Sequence, residues 1–132
     1  MKMKIGCDTG YFIRLLEGNS KAMDVWKNIV EGESQCLVSC VTLLELHRLA
    51  LQEKLDFQGV KILLGSISAV CKVFWCDSEE KLILASTLSK DLDLPIAQSV
   101  ILMTFVFSKV KTIYTTDAKL VSCEPGIETI LL

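Results

Sequence analysis

The sequence predicts an α/β domain: a three-layer α/β/α sandwich around a central parallel sheet of about five strands. Three observations predict it. Short apolar runs alternate with longer segments whose apolar residues recur at helical spacing. The short runs read as apolar runs, as in strands covered on both faces. Regular alternation of strand and helix requires crossover connections, and these place helices on both sides of a parallel sheet.

The elements follow in order. "MKIGCD" reads as a buried strand ending at Asp8, and "TGYFIRLLEG" as a helix stopped by Gly18. "NSKAMDVWKNIVEGE" opens on an Asn/Ser cap and places Ala22, Val25, Trp26 and Ile29 on one face. "QCLVS" is the second strand, and "VTLLELHRLALQEK" is a helix. "DFQGVKILLGSISAV" is another helix, weakened by Gly59 and Gly65. "CKVFWC" is the third strand. "SEEKLILASTLSKD" is a helix with a cap at Asp77 or Ser78. "IAQSVILMTFVFS" is a helix, apolar nearly all round, with Asp93 as the expected N-cap and Pro95 in its first turn. "KTIYTTD" and "IETILL" are the fourth and fifth strands.

The 132 residues suit one domain, spanning 1–132. With 51% apolar and 23% charged residues, the chain can build a sizeable core. The charge-free run from Leu94 to Ser108 is shorter than the about 20 residues of a membrane span, contains Gln98, Ser99 and Thr104, and is closed by Lys109 and Lys111. The apolar part of the N-terminus is too short for a signal peptide, so a cytoplasmic location without membrane association is expected. The net charge of −2 does not favour broad electrostatic binding of nucleic acid; such activity would need a local site. Six cysteines with no CxxC pair, and a single histidine, His47, argue against structural zinc. Most of the cysteines are expected as buried thiols, with one or two disulfides only in a chain from a hyperthermophile.

In open parallel sheets, ligands bind beyond the carboxyl ends of the strands. Two strands end alike there: "IGCDT" at Asp8 and "IYTTD" at Asp117. Glu45, in the second turn of the helix after strand two, can reach the same edge. Two carboxylates about 4 Å apart repel by about 4 kcal/mol at an effective dielectric near 20. A hard cation such as Mg²⁺ or Mn²⁺ removes that cost, binding through one or two carboxylates with water and phosphate oxygens. Taken singly, each acid has a plain alternative, since an Asp at a strand end is often a helix cap.

On these motifs the chain resembles the PIN-domain proteins, small α/β ribonucleases that include VapC-type toxins. The resemblance covers nearly the whole chain and lies in "GCDTGYFIRLLEG", "VTLLELHRLA" and "IYTTD". It implies a PIN-like fold and a Mg²⁺- or Mn²⁺-dependent ribonuclease with Asp8, Glu45 and Asp117 as catalytic and metal-binding acids. It also implies RNA as substrate, a homodimer and, for a toxin, an antitoxin partner. Thr9 and Thr115 match hydroxyl positions of the family that orient the acids, and either could simply cap a helix or bond backbone. A further family acid falls about eighteen residues before the last Asp, and counting back from Asp117 places Ser99 there. This is the chain's main departure from the family, and it leaves three acids with Ser99 as a neutral support. Arg14, Arg48 and Lys119 lie close in sequence to the motif acids and could contact RNA phosphates. Arg48 could instead pair with Glu45 at i, i+3. Two other readings stand beside the ribonuclease: a catalytically degenerate PIN-like module that binds RNA or protein, and a phospho-receiver domain. The receiver fits less well, because it expects two adjacent acids after the first strand and a Lys closing a late one.

Overall fold

The strand segments are short because each must end where its chain leaves a sheet covered on both sides. The structure, a computed structural model, describes residues 2–121 and 124–132. In it β1 (Met3–Cys7), β2 (Ser34–Ser39), β3 (Lys72–Phe74), β4 (Thr112–Thr115) and β5 (Glu128–Leu131) form one sheet in the order β3-β2-β1-β4-β5. Every pairing is parallel. A receiver-type doubly wound sheet has the order 2-1-3-4-5, so the strand order sets this chain apart from that class. The edge strand β3 keeps only three residues of the expected "CKVFWC".

The helices are α1 (Thr9–Leu16), α2 (Ser20–Val30), α3 (Cys40–Leu51), α4 (Phe57–Val70), α5 (Glu79–Leu92) and α6 (Ile96–Ser108). Alternation along the strands divides the core in two. Ile5 and Cys7 of β1 and Cys36 and Val38 of β2 join Phe12, Ala22, Ile29, Leu46, Val60 and Ile67, from helices α1 to α4. Leu37 of β2 and Ile113 of β4 face the other way, against Ala85, Leu88, Leu102, Met103 and Phe105 of α5 and α6. The expected three layers are therefore present.

Gly6 lets α6 lie close on the sheet. A Cβ at this position would stand 2.5 Å from Phe105 Cδ1. At the start of α6 the structure corrects the sequence reading. Asp93 does not cap α6; it ends α5 in the left-handed region at φ 52°, and Pro95 is the N-cap of α6 with extended ψ. Asp tolerates that region, and Ser89 secures the turn by donating its hydroxyl to Leu94 O at 2.7 Å.

Cys7, Cys36, Cys40, Cys71 and Cys76 are free thiols, and Cys123 lies outside the described residues. Burial pushes the Cys7 thiol above its ordinary range, which makes it inert. Among the described residues no single helix is long and apolar enough to cross a membrane. The pair α5 and α6 passes on length and composition together but is bent by 116°.

Candidate active site

The sheet order changes direction at β1, whose neighbours are β2 on one side and β4 on the other. A crevice opens at such a switch point, beyond the carboxyl ends of the strands. Asp8 follows β1 and Asp117 follows β4 there. A pocket of about 340 Å³ at this edge is lined by Asp8, Glu45, Asp117, Gln98, Arg48 and Thr116, among others.

Asp8 is the N-cap of α1. Its Oδ1 accepts the Tyr11 N–H at 2.9 Å, and its Oδ2 accepts the Thr115 hydroxyl. The capping alternative weighed from sequence is thus realised, and it coexists with a place on the pocket wall. Asp8 is only 6% exposed. Burial raises its pKa from 3.8 to about 6; the Thr115 and Tyr11 bonds pull the other way, and the charges of Asp117 and Glu45 add to the rise.

Thr115 links two of the acids. Its hydroxyl donates to Asp8 and accepts the Asp117 N–H at 2.9 Å. Asp117 caps the short 3₁₀ turn Ala118–Leu120 by accepting the Lys119 N–H on Oδ1 at 2.9 Å. Its Oδ2 accepts the Gln98 side-chain amide. Glu45, half-buried on α3, accepts the Thr9 hydroxyl on Oε1 at 2.6 Å, and Thr9 Oγ1 lies 3.2 Å from Thr42 Oγ1. Each acid is therefore held by one neutral donor from another element. Gly10 permits the closeness of α1 to the loop after β4, since a Cβ there would fall 1.9 Å from Thr116 Oγ1.

The structure thus brings Asp8, Glu45, Asp117 and Thr9 to the pocket, with Thr115 bonding two of the acids from beneath. Arg48 lines the pocket and makes no ion pair with Glu45 among the described residues. Three of the expected residues lie off the pocket wall. Ser99 does not reach the pocket: it is 1% exposed, and its hydroxyl turns back to Ile96 O at 2.7 Å. Successive helical residues point about 100° apart, and it is the neighbouring Gln98 that faces the acids. Arg14 stands off the pocket wall and pairs with Glu17 at 2.9 Å. Lys119 is exposed beside the pocket rather than on its wall, its backbone N–H closing the Asp117 cap.

The donors suit a hard divalent cation, being all oxygen. Two features favour one. Among the described residues Asp8 has no cationic partner to offset its burial. Gln98 Oε1 is the one buried side-chain polar atom without a hydrogen-bond partner among the described residues. A preformed cage is absent: no three His, Cys, Asp or Glu side chains are placed to hold a metal among the described residues. The arrangement therefore fits a cation held by one or two carboxylates and water, the usual manner for Mg²⁺.

No protein-family model and no curated protein matches the chain. Solved structures do match its fold. A chain of VapBC2 from Rickettsia felis, solved with a DNA fragment from its promoter, superposes with a TM-score of 0.77 at 13% identity, over 98% of this chain and 99% of that one. DNA-bound VapBC from Salmonella typhimurium gives 0.74 at 18% identity, over 97% of each chain. VapC20 of Mycobacterium tuberculosis, a sarcin-ricin loop cleaving toxin, gives 0.62 at 15% identity, over 86% of this chain and 90% of that one. The PIN-like α/β/α fold expected from the sequence is the fold this chain shares with these VapBC and VapC structures.

Proposed function

We propose that this chain is a divalent-metal-dependent ribonuclease and the toxin of a toxin–antitoxin pair. The observation that carries the reading is the convergence of Asp8, Glu45 and Asp117 on one pocket at the switch point of the sheet, with Arg48 on the same wall. That VapC20 cleaves the sarcin-ricin loop supports RNA as the substrate class, and the VapBC structures support an antitoxin partner.

Asp8 and Asp117 are the residues that would hold Mg²⁺ or Mn²⁺, with Glu45 completing the charge of the pocket. When bound, the cation supplies charge neutralisation and activation of water for in-line attack on a phosphodiester. The chain's own residues do the rest. Thr115, Thr9 and Gln98 fix the carboxylates before substrate arrives. Arg48 offers a guanidinium to a phosphate oxygen at the pocket mouth. Attack of water at phosphorus would form the new P–O bond and break the bond to the ribose oxygen, which leaves with a proton, beside the carboxylates that line the pocket.

RNA cleavage in Mn²⁺, compared between wild type and Asp8→Asn, tests the assignment. Wild-type cleavage that EDTA abolishes and Asp8→Asn lacks is the expected result; undiminished cleavage by the variant rejects it. A second reading, a degenerate PIN-like module that binds RNA or protein, is favoured by the missing three-acid cage. It predicts RNA retention on a filter without cleavage in any divalent metal. A homodimer is proposed as well, on the exposed apolar side chains Leu44, Leu51, Ile83 and Ile96; light scattering of the purified chain decides it.

A further inference from the structure

Gln98 occupies an unusual position in the acid pocket. Its side chain is held at one end only: Nε2 donates to Asp117 Oδ2, while Oε1 is buried without a partner. Asp117 fixes which way the amide lies, because a carboxylate accepts hydrogen bonds and would repel Oε1. The local sequence explains why Oε1 stays unpaired. Gln98 is the third residue of α6, the place from which a Gln side chain commonly reaches back to the N-cap N–H. Here the N-cap is Pro95, which has no N–H to give. A buried acceptor is thus left over on a residue that lines a pocket already holding three carboxylates.

We infer that Gln98 is a positioning residue of the metal site: its amide fixes Asp117 through Nε2 and presents Oε1 as a neutral acceptor toward a hydrated divalent cation. The inference rests on the metal-dependent reading above and adds to it how the site is tuned. A neutral amide adds no charge, so the pocket binds Mn²⁺ more weakly than it would with an acid at the same position. Affinity for hard cations rises with the number of charged ligands.

The experiment is calorimetric titration of the full chain with MnCl₂, for wild type, Gln98→Leu and Gln98→Glu, with metal-free melting temperatures measured alongside. Loss of an outer-shell partner typically costs about 10- to 100-fold in metal affinity, so Gln98→Leu should weaken Mn²⁺ binding by at least about tenfold. Gln98→Glu should tighten binding by about the same factor while lowering the metal-free melting temperature, because a fourth carboxylate then faces Asp117. A purely structural role would change the melting temperature of both variants without moving Mn²⁺ affinity in opposite directions. Wild-type binding that neither substitution alters overturns the inference and leaves the ribonuclease reading standing. No Mn²⁺ binding by any of the three proteins overturns both. If Gln98→Leu does not fold, the rise expected for Gln98→Glu decides the matter alone.

Discussion

Asp8→Asn should make the metal-free protein more stable at neutral pH, although it removes the group on which the proposed activity depends. Asp8 is nearly buried, and its pKa rises from 3.8 to about 6. The sign follows from proton linkage. Between these two values the unfolded chain has released its proton while the folded chain still holds it. Raising the pH therefore favours unfolding until the folded carboxyl also ionises. Below pH 4 the group contributes little; above pH 6 the native state carries the whole penalty. The gap between 3.8 and about 6 corresponds to about 3 kcal/mol at pH 7.5. Asparagine carries none of it. Its Oδ1 can still accept the Tyr11 N–H, since Asn caps helices about as well as Asp, and its amide can donate to Thr115 Oγ1. For a chain of this length the gain amounts to about 10 °C in melting temperature. The assay is urea denaturation in EDTA between pH 4.5 and 7.5, followed by tryptophan fluorescence. Trp26 reports well, being packed edge-on to Phe12 at 6.1 Å between ring centroids. The variant should be favoured at pH 7.5, and its advantage should shrink steadily toward pH 4.5. An advantage that does not depend on pH, or a variant less stable than wild type at pH 7.5, refutes the reasoning. Adding Mn²⁺ should then stabilise wild type and not the variant, because only a ligand that binds the native state raises its stability.

Three further substitutions probe the parts that place the acids. Thr115→Val removes the donor to Asp8 Oδ2 and should raise the Asp8 pKa further; the expected loss of about 1–3 kcal/mol at pH 7.5 should lessen in acid, and an equal loss at both pH values would count against it. Gly6→Ala drives a methyl to 2.5 Å from the Phe105 ring, for a loss of about 1–3 kcal/mol, and Phe105→Leu in the same chain should recover part of it; strictly additive effects would show that the contact does not limit packing. Arg48→Gln should leave the melting temperature within about 0.5 kcal/mol of wild type while weakening RNA binding and lowering its salt dependence by about one charge; an unchanged salt slope would place Arg48 away from phosphate.

Much of the architecture was legible because burial leaves a compositional mark. β1, β2 and β4 lie inside the sheet, and they bury apolar side chains there: Ile5 and Cys7, Cys36 to Val38, and Ile113. The edge strand β3 is less marked: Lys72 is exposed, and the strand closes after three residues. The acids after β1 and β4 were legible because both motifs end a strand of the same direction, so a parallel sheet brings them to one edge. Arg14 lies off the pocket wall because nearness in sequence is not nearness on a helix. It follows Ile13, which lines the pocket, and one further residue swings it about 100° away to meet Glu17.

The inward turn of Ser99 has a chemical cause that the sequence already contained. α6 is apolar nearly all round, and its first turn carries two adjacent polar residues, Gln98 and Ser99. Only one of them could face the acids. A serine in a helix can satisfy its hydroxyl on a carbonyl of the preceding turn and so tolerate full burial, as Ser99 does on Ile96. A glutamine has two donors and an acceptor at the end of a longer side chain, and its own turn cannot satisfy them. Of the two, Gln98 was therefore the residue bound to point at polar partners, whatever the count back from Asp117. Spacing from a motif locates a helix turn, but which residue of that turn reaches a site depends on what each polar group needs.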